Sequence, residues 1–145
     1  MYKNHEGYSD PTAGAVIGKM MKEYKKQQKN TQRQRQNEIK SYAKVYVVSK
    51  YAGDTEANTK AAIRYCRYVI AQNKMPIASH LMYPAILRDS IPAEREMGTM
   101  FGLALLSMCD EVWCFGKDYS PGMRAEIQEA KRLGKQILFF EEVPR

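Results

Sequence analysis

The sequence predicts an α/β domain: a Rossmann-like or flavodoxin-like parallel sheet of four or five strands flanked by helices, preceded by an N-terminal helical arm. Three observations carry that reading. Short apolar, β-branched runs, beginning with Val45-Tyr46-Val47-Val48, alternate with segments whose apolar residues recur at helical spacing. Strands alternating with helices build right-handed β-α-β units around a parallel sheet. The basic, glutamine-rich texture of the N-terminal part breaks off at Lys44, which places the arm at residues 1–43 and the domain at 44–145.

In the arm, Asp10 and Pro11 read as a helix cap followed by proline in the first turn. Ala13, Val16, Ile17, Met20, Met21 and Tyr24 then form an apolar stripe, so residues 11–24 are expected to pack against the α/β domain or a second subunit. From Lys25 to Lys40 the stripe gives way to lysine, arginine and glutamine, a run that is either a solvated helix or disordered. The run Val45 to Val48 suits a central parallel strand. Tyr51-Ala52-Gly53-Asp54 reads as a turn whose glycine lets the backbone approach a ligand. Ala62, Cys66, Val69 and Ile70 mark the inner face of a helix ending near Asn73, and Met75 to His80 reads as the second strand. Residues 81–91 mix Pro84 and polar side chains with apolar ones, as a folded-over loop or short helix above the strand ends would. Pro92 opens a helix with Met97, Phe101, Ala104, Leu105 and Met108 turned inward, and Cys109 to Gly116 is the third strand. Ser120 caps a helix with Pro121 in its first position and Gly134 at its end. Met123, Ile127, Ala130 and Leu133 make its buried stripe, and Gln136 to Glu141 is the fourth strand.

A chain of 145 residues holds one domain of ordinary size plus an appendage. No stretch reaches the roughly 18 consecutive apolar residues of a membrane span, and the N-terminus has no apolar signal-peptide core. A cytoplasmic protein with no membrane partner is expected. Cys66, Cys109 and Cys114 are odd in number and form no C-x-x-C pair, so they read as reduced, buried thiols. No motif asks for a metal or an organic cofactor. The net charge of +7 is uneven: residues 1–44 hold ten Lys/Arg against four Asp/Glu, leaving thirteen against twelve for residues 45–145. A basic helix over Lys25–Lys40 could meet nucleic acid, but an exposed spacer is the commoner meaning of such a run.

In open parallel sheets, ligands bind beyond the carboxyl ends of the strands, where the strand order reverses. Those ends deliver Ser49 to Asp54, His80 to Asp89 and Gly116 to Glu126, the polar, glycine-bearing segments of the chain. Around Ser120, Gly122 and Met123, loop, glycine and helix N-terminus form an anion cradle, because free N–H groups and the positive helix end point at one spot. Glu126 borders the buried stripe beside that cradle, where solubility alone explains a carboxylate poorly. Asp89 and Arg95 belong to the same end of the sheet.

The stretch from Ser120 to Lys135 resembles the nucleoside 2-deoxyribosyltransferase superfamily, whose signature runs from a small residue or acid and a glycine into E-L-G-x-A-x-x-x-G-K. Glu126, Ala130, Gly134 and Lys135 stand at the matching spacing, with Ile127 for the leucine. The deoxyribonucleoside 5′-monophosphate N-glycosidases carry a serine six residues before the glutamate, as Ser120 does here. A wider set of small uncharacterised proteins, many from mobile elements, shares A-G-D, P-x-E-R-x-x-G, C-D-E-x-W-x-F-G and S-x-G-M-x-x-E-I. The resemblance implies that Glu126 is the nucleophile, that Tyr46 hydrogen-bonds it or the sugar, and that His80 lies at the ligand. It also implies self-association into a homo-oligomer. One departure stands out: the superfamily's catalytic aspartate falls at Gly102, and Asp89 is the replacement acid the sequence offers.

The expected function is therefore binding of a nucleotide or nucleoside monophosphate, with cleavage or transfer at the N-glycosidic bond. Glu126, Tyr46 and Asp89 are the candidate catalytic residues. Tyr51, Gly53, His80, Arg95, Ser120, Gly122 and Met123 are the candidate binding residues. Two alternatives stand beside it, a catalytically inactive nucleotide sensor and a nucleic-acid accessory protein acting through the arm.

Overall fold

The computed structural model describes residues 11–143, and by its internal contacts the chain divides between Ser41 and Tyr42 into two units. The first is one continuous helix, α1 (Pro11–Ser41). The cap expected at Asp10 lies outside the described residues. Of the two readings of the basic run, the solvated helix is realised, since every residue from Gly18 to Tyr42 is exposed. Val16, Met20, Met21 and Tyr24 of the apolar stripe are exposed in the single chain, which leaves their surface open to a partner.

The second unit is a four-stranded parallel sheet made of β1 (Lys44–Val48), β2 (Met75–Ile77), β3 (Glu111–Phe115) and β4 (Gln136–Phe140), in the order β2-β1-β3-β4. Helices α2 (Thr55–Ala71), α3 (Pro92–Ser107) and α4 (Pro121–Arg132) connect successive strands. β1 is flanked by β2 on one side and β3 on the other, with Tyr46 opposite both Ile77 and Val112. The strand order reverses there, which puts the crevice for a ligand beyond the carboxyl end of β1.

Alternation along β1 and β3 feeds two cores. Tyr46, Val48, Val112 and Cys114 pack with Leu106, Met123, Ile127 and Ala130 on one face, while Val45, Val47, Trp113 and Phe115 pack with Val69 on the other. Strands covered on both faces need unbroken apolar runs, which is why these two read so plainly. Cys66, Cys109 and Cys114 are free thiols.

Several expectations are corrected. β2 stops at Ile77, because Ser79–Leu81 already turns as a 3-10 helix. The buried face of α3 lies one position further along than the pattern suggested. Gly102 and Leu106 are buried, whereas Met97, Phe101 and Met108 are exposed, as is Ala104. The face is set by glycine, whose missing side chain gives no apolar signal. Ile70 and Leu133 are exposed rather than inward, Leu133 because it is already the C-terminal cap of α4.

Leu106 has no exposed surface and sits at the centre of the α3 side of the core. Leu106→Ala is expected to lower unfolding free energy by about 2–5 kcal/mol in urea titration. A loss below about 1 kcal/mol would contradict this packing.

Candidate active site

The carboxyl ends of β1 and β2 and the amino ends of α3 and α4 enclose a pocket. Its lining includes Tyr51, Ser79, His80, Asp89, Arg95, Gly122 and Glu126. Counting the space open to solvent it measures about 740 Å³. Pro84, Leu87 and Leu103 supply apolar wall, so the polar groups stand out against it and can fix a ligand's orientation.

Glu126 reaches the pocket from the second turn of α4, held by Met123, Ile127 and Ala130, which anchor the helix in the core. Its Oε2 is buried and has no hydrogen-bond partner. Burial pushes the carboxyl from 4.5 up to about 7, against a smaller downward pull from hydrogen bonding by Tyr46. A carboxyl poised near neutrality, with one oxygen unspent, suits general acid–base chemistry, and it becomes a nucleophile once ionised.

Tyr46 is fully buried, and its Oη lies 2.9 Å from Ser79 Oγ. Burial first, and then the charge of Glu126, hold the phenol well above its ordinary range, so it stays protonated. It can donate to Glu126 while Ser79 donates to it, a short chain running from the turn after β2 to α4. Gly102 closes this arrangement from α3. A Cβ on Gly102 would stand 3.2 Å from Tyr46 Oη and 3.4 Å from Ser79 Oγ. The Tyr46–Ser79 pair thus crowds the place of the aspartate implied by resemblance, and a side chain there would have to push the pair aside.

The remaining candidates separate cleanly. Tyr51 and His80 line the pocket and stack on each other, with ring centroids 5.1 Å apart and planes 15° from parallel. Burial lowers the His80 pKa, which favours a neutral imidazole. Asp89 and Arg95 also line the pocket, joined by Glu94. Ser120 caps α4, its Oγ accepting the Met123 N–H at 3.2 Å. With Pro121 lacking an N–H, the expected anion cradle is reduced at this end to the amide of Gly122, which does line the pocket. Met123 is 2% exposed and belongs to the core. Gly53 adopts a left-handed φ of +99° in the turn ahead of α2, outside the pocket lining. Lys135, matched within the glycine-lysine pair, donates to the carbonyls of Ser107 and Cys109 at 2.9 and 2.7 Å, tying the end of α3 to β4. Sequence reasoning missed Ser79. A small hydroxyl residue before His80, one turn from a strand end, was the only signal.

The raised pKa has a consequence for stability. A group whose folded value exceeds its unfolded one binds more protons when folded. Its contribution is therefore complete below about pH 4.5 and is lost as pH rises through about 7. Across that window the wild type is expected to lose on the order of 3 kcal/mol relative to Glu126→Gln. Urea unfolding of both proteins at pH 4.5 and pH 8 measures it, and parallel pH profiles would contradict the burial of this carboxyl.

Comparison with known proteins agrees with this architecture. The structure resembles a 2-deoxyribosyltransferase from Bacillus psychrosaccharolyticus, with a TM-score of 0.57 and 15% identity over 71% of this chain and 77% of that one. It also resembles a 2-deoxyribosyltransferase from Leishmania mexicana, with a TM-score of 0.51 and 14% identity over 68% of this chain and 63% of that one. Identity that low shows a shared fold, the one the resemblance at Ser120 to Lys135 implies. No curated protein matches in sequence. A domain of unknown function, DUF7768, matches residues 43–140, and the chain belongs to that family.

Proposed function

We propose that the pocket binds a nucleoside or nucleoside monophosphate and that the chain acts at the N-glycosidic bond, by hydrolysis or deoxyribosyl transfer. The observation that carries this is the Glu126 carboxyl, buried in the pocket beside the Tyr46 hydroxyl with Oε2 unpartnered. In this reading Glu126 bonds C1′ as the C1′–N bond breaks, and the base leaves with that electron pair. The base takes a proton, for which Asp89 in the same pocket is the candidate donor. Water, or an acceptor base, then adds at C1′, gives its proton to the Asp89 carboxylate and releases Glu126 as a carboxylate. The cationic character that builds on the sugar favours the ionised carboxylate, so a ligand at the transition state draws Glu126 toward its active form. Arg95 and the Gly122 amide are the groups available to a 5′-phosphate.

The crowding of Gly102 by Tyr46 and Ser79 favours a second reading, a nucleotide sensor without turnover. Self-association belongs to either reading. The outer face of α3 supports it, since Met97, Met100, Phe101 and Met108 are all exposed there. Among the described residues, no helix is long and apolar enough to cross a membrane.

Chromatography of free base released from nucleosides and their monophosphates tests the proposal. Wild-type protein is expected to release base, and Glu126→Gln to bind as well but turn over slower by on the order of 10³ or more, about 4 kcal/mol of transition-state stabilisation. Similar rates for both would remove Glu126 as nucleophile. Binding without release by the wild type would establish the sensor.

A further inference from the structure

Helix α1 carries eight of the chain's twenty-three Lys/Arg residues and two acids, Glu23 and Glu38. Its cations are not scattered. Lys19, Lys22, Lys26, Lys29, Arg33 and Lys40 follow one another at intervals of three, four, three, four and seven residues. At about 100° per residue this spacing confines all six to an arc of about 80°, a stripe running about 32 Å along the helix. Lys25 flanks it, and Arg35 lies off it. All of these side chains are exposed. Among the described residues none of the six forms an ion pair.

A surface helix that repeats one sign of charge on one face, with a single acid, Glu23, within helical reach of it, carries self-repulsion that a polyanion would relieve. The residues between the cations agree. Asn30, Gln36 and Asn37, on or beside the stripe, are uncharged amides that bond phosphate oxygens and base edges alike. A lipid surface fits less well. Below Tyr24 the face opposite the stripe holds Gln27, Gln28, Thr31, Arg35 and Glu38, with only Ile39 apolar at its edge, where an interfacial helix needs apolar residues to insert. Duplex RNA fits less well too, because its major groove is too narrow and deep for side chains to read, whereas that of B-DNA admits a helix.

We propose that the cationic stripe of α1 is a docking surface for double-stranded DNA, seated along the major groove and held through phosphate contacts. This site is separate in residues from the pocket and stands whether or not the pocket turns over a nucleoside.

The test is fluorescence-anisotropy binding of the full chain to a 30-base-pair DNA duplex of mixed sequence across a salt series. With six cations engaged, the slope of log affinity against log salt is expected near −5. Lys26→Gln, Lys29→Gln and Arg33→Gln together are expected to lower affinity at least tenfold and flatten the slope by about three. Glutamine is nearly as good a helix former as lysine or arginine, so α1 is expected to persist by circular dichroism. Gln36→Lys extends the stripe and is expected to tighten binding and steepen the slope by about one. Arg35→Gln, off the stripe, is expected to change the slope by less than the triple variant does per charge. A wild-type slope shallower than about −1, a triple variant that binds like wild type, or a gain variant that binds no better would overturn the proposal. So would tighter binding to an RNA duplex of equal length, or to vesicles of three parts phosphatidylcholine to one of phosphatidylserine.

Discussion

The hydroxyl of Tyr46 is the point on which the pocket side of this domain converges. It sits on the central strand β1, meets Ser79 from the turn after β2, acts on Glu126 from α4, and faces Gly102 on α3 across the room that a side chain would fill. Four segments far apart in sequence are thus fixed to one buried oxygen. A polar atom that deep must be satisfied, and Ser79 from beyond β2 satisfies it, with Glu126 of α4 as its second partner. The same requirement that orders the core therefore aims the Glu126 carboxyl into the pocket.

This geometry also explains how one carboxyl can sit near neutrality without a cation beside it. Desolvation raises its pKa, and the tyrosine offsets part of that rise without adding charge. Cys114, in the core on β3, is pushed up to about 12 by burial and then by Glu126, so it remains a neutral thiol. Three other charged groups of the pocket, Asp89, Glu94 and Arg95, lie on or just before the start of α3.

Most of the fold could be read from the sequence because β1 and β3 are buried on both faces, and a short unbroken apolar run such as Val45 to Val48 suits a strand covered on both sides better than any exposed element. Helix α4 was equally legible, since its cap, proline and apolar stripe agree. Legibility failed on α3. There the buried face is marked by Gly102, while Met97, Met100, Phe101 and Met108 point outward, so a pattern of large apolar residues located the wrong side. The site divides in the same way. Glu126 was visible as an acid beside an apolar stripe at a helix start, Asp89 and Arg95 because they lay at the ligand end of the sheet, and Tyr46 and His80 through the family resemblance. Ser79 and the crowding of Gly102 depend on distances between segments, which spacing along the chain does not encode. The anion cradle is smaller than expected for the opposite reason: Ser120 spends its oxygen on the Met123 amide, a local bond that takes up a donor the cradle would need.

Glu126 is a desolvated carboxyl whose proton affinity is set by burial and tempered by Tyr46. Carbon-13 NMR titration of the glutamate side-chain carboxyls, with Glu126 assigned by its Gln variant, observes it directly. The account predicts a midpoint near 7 for Glu126 and a still higher one in Tyr46→Phe. A midpoint in the ordinary glutamate range, about 4 to 5, unaffected by loss of the tyrosine hydroxyl, would contradict it.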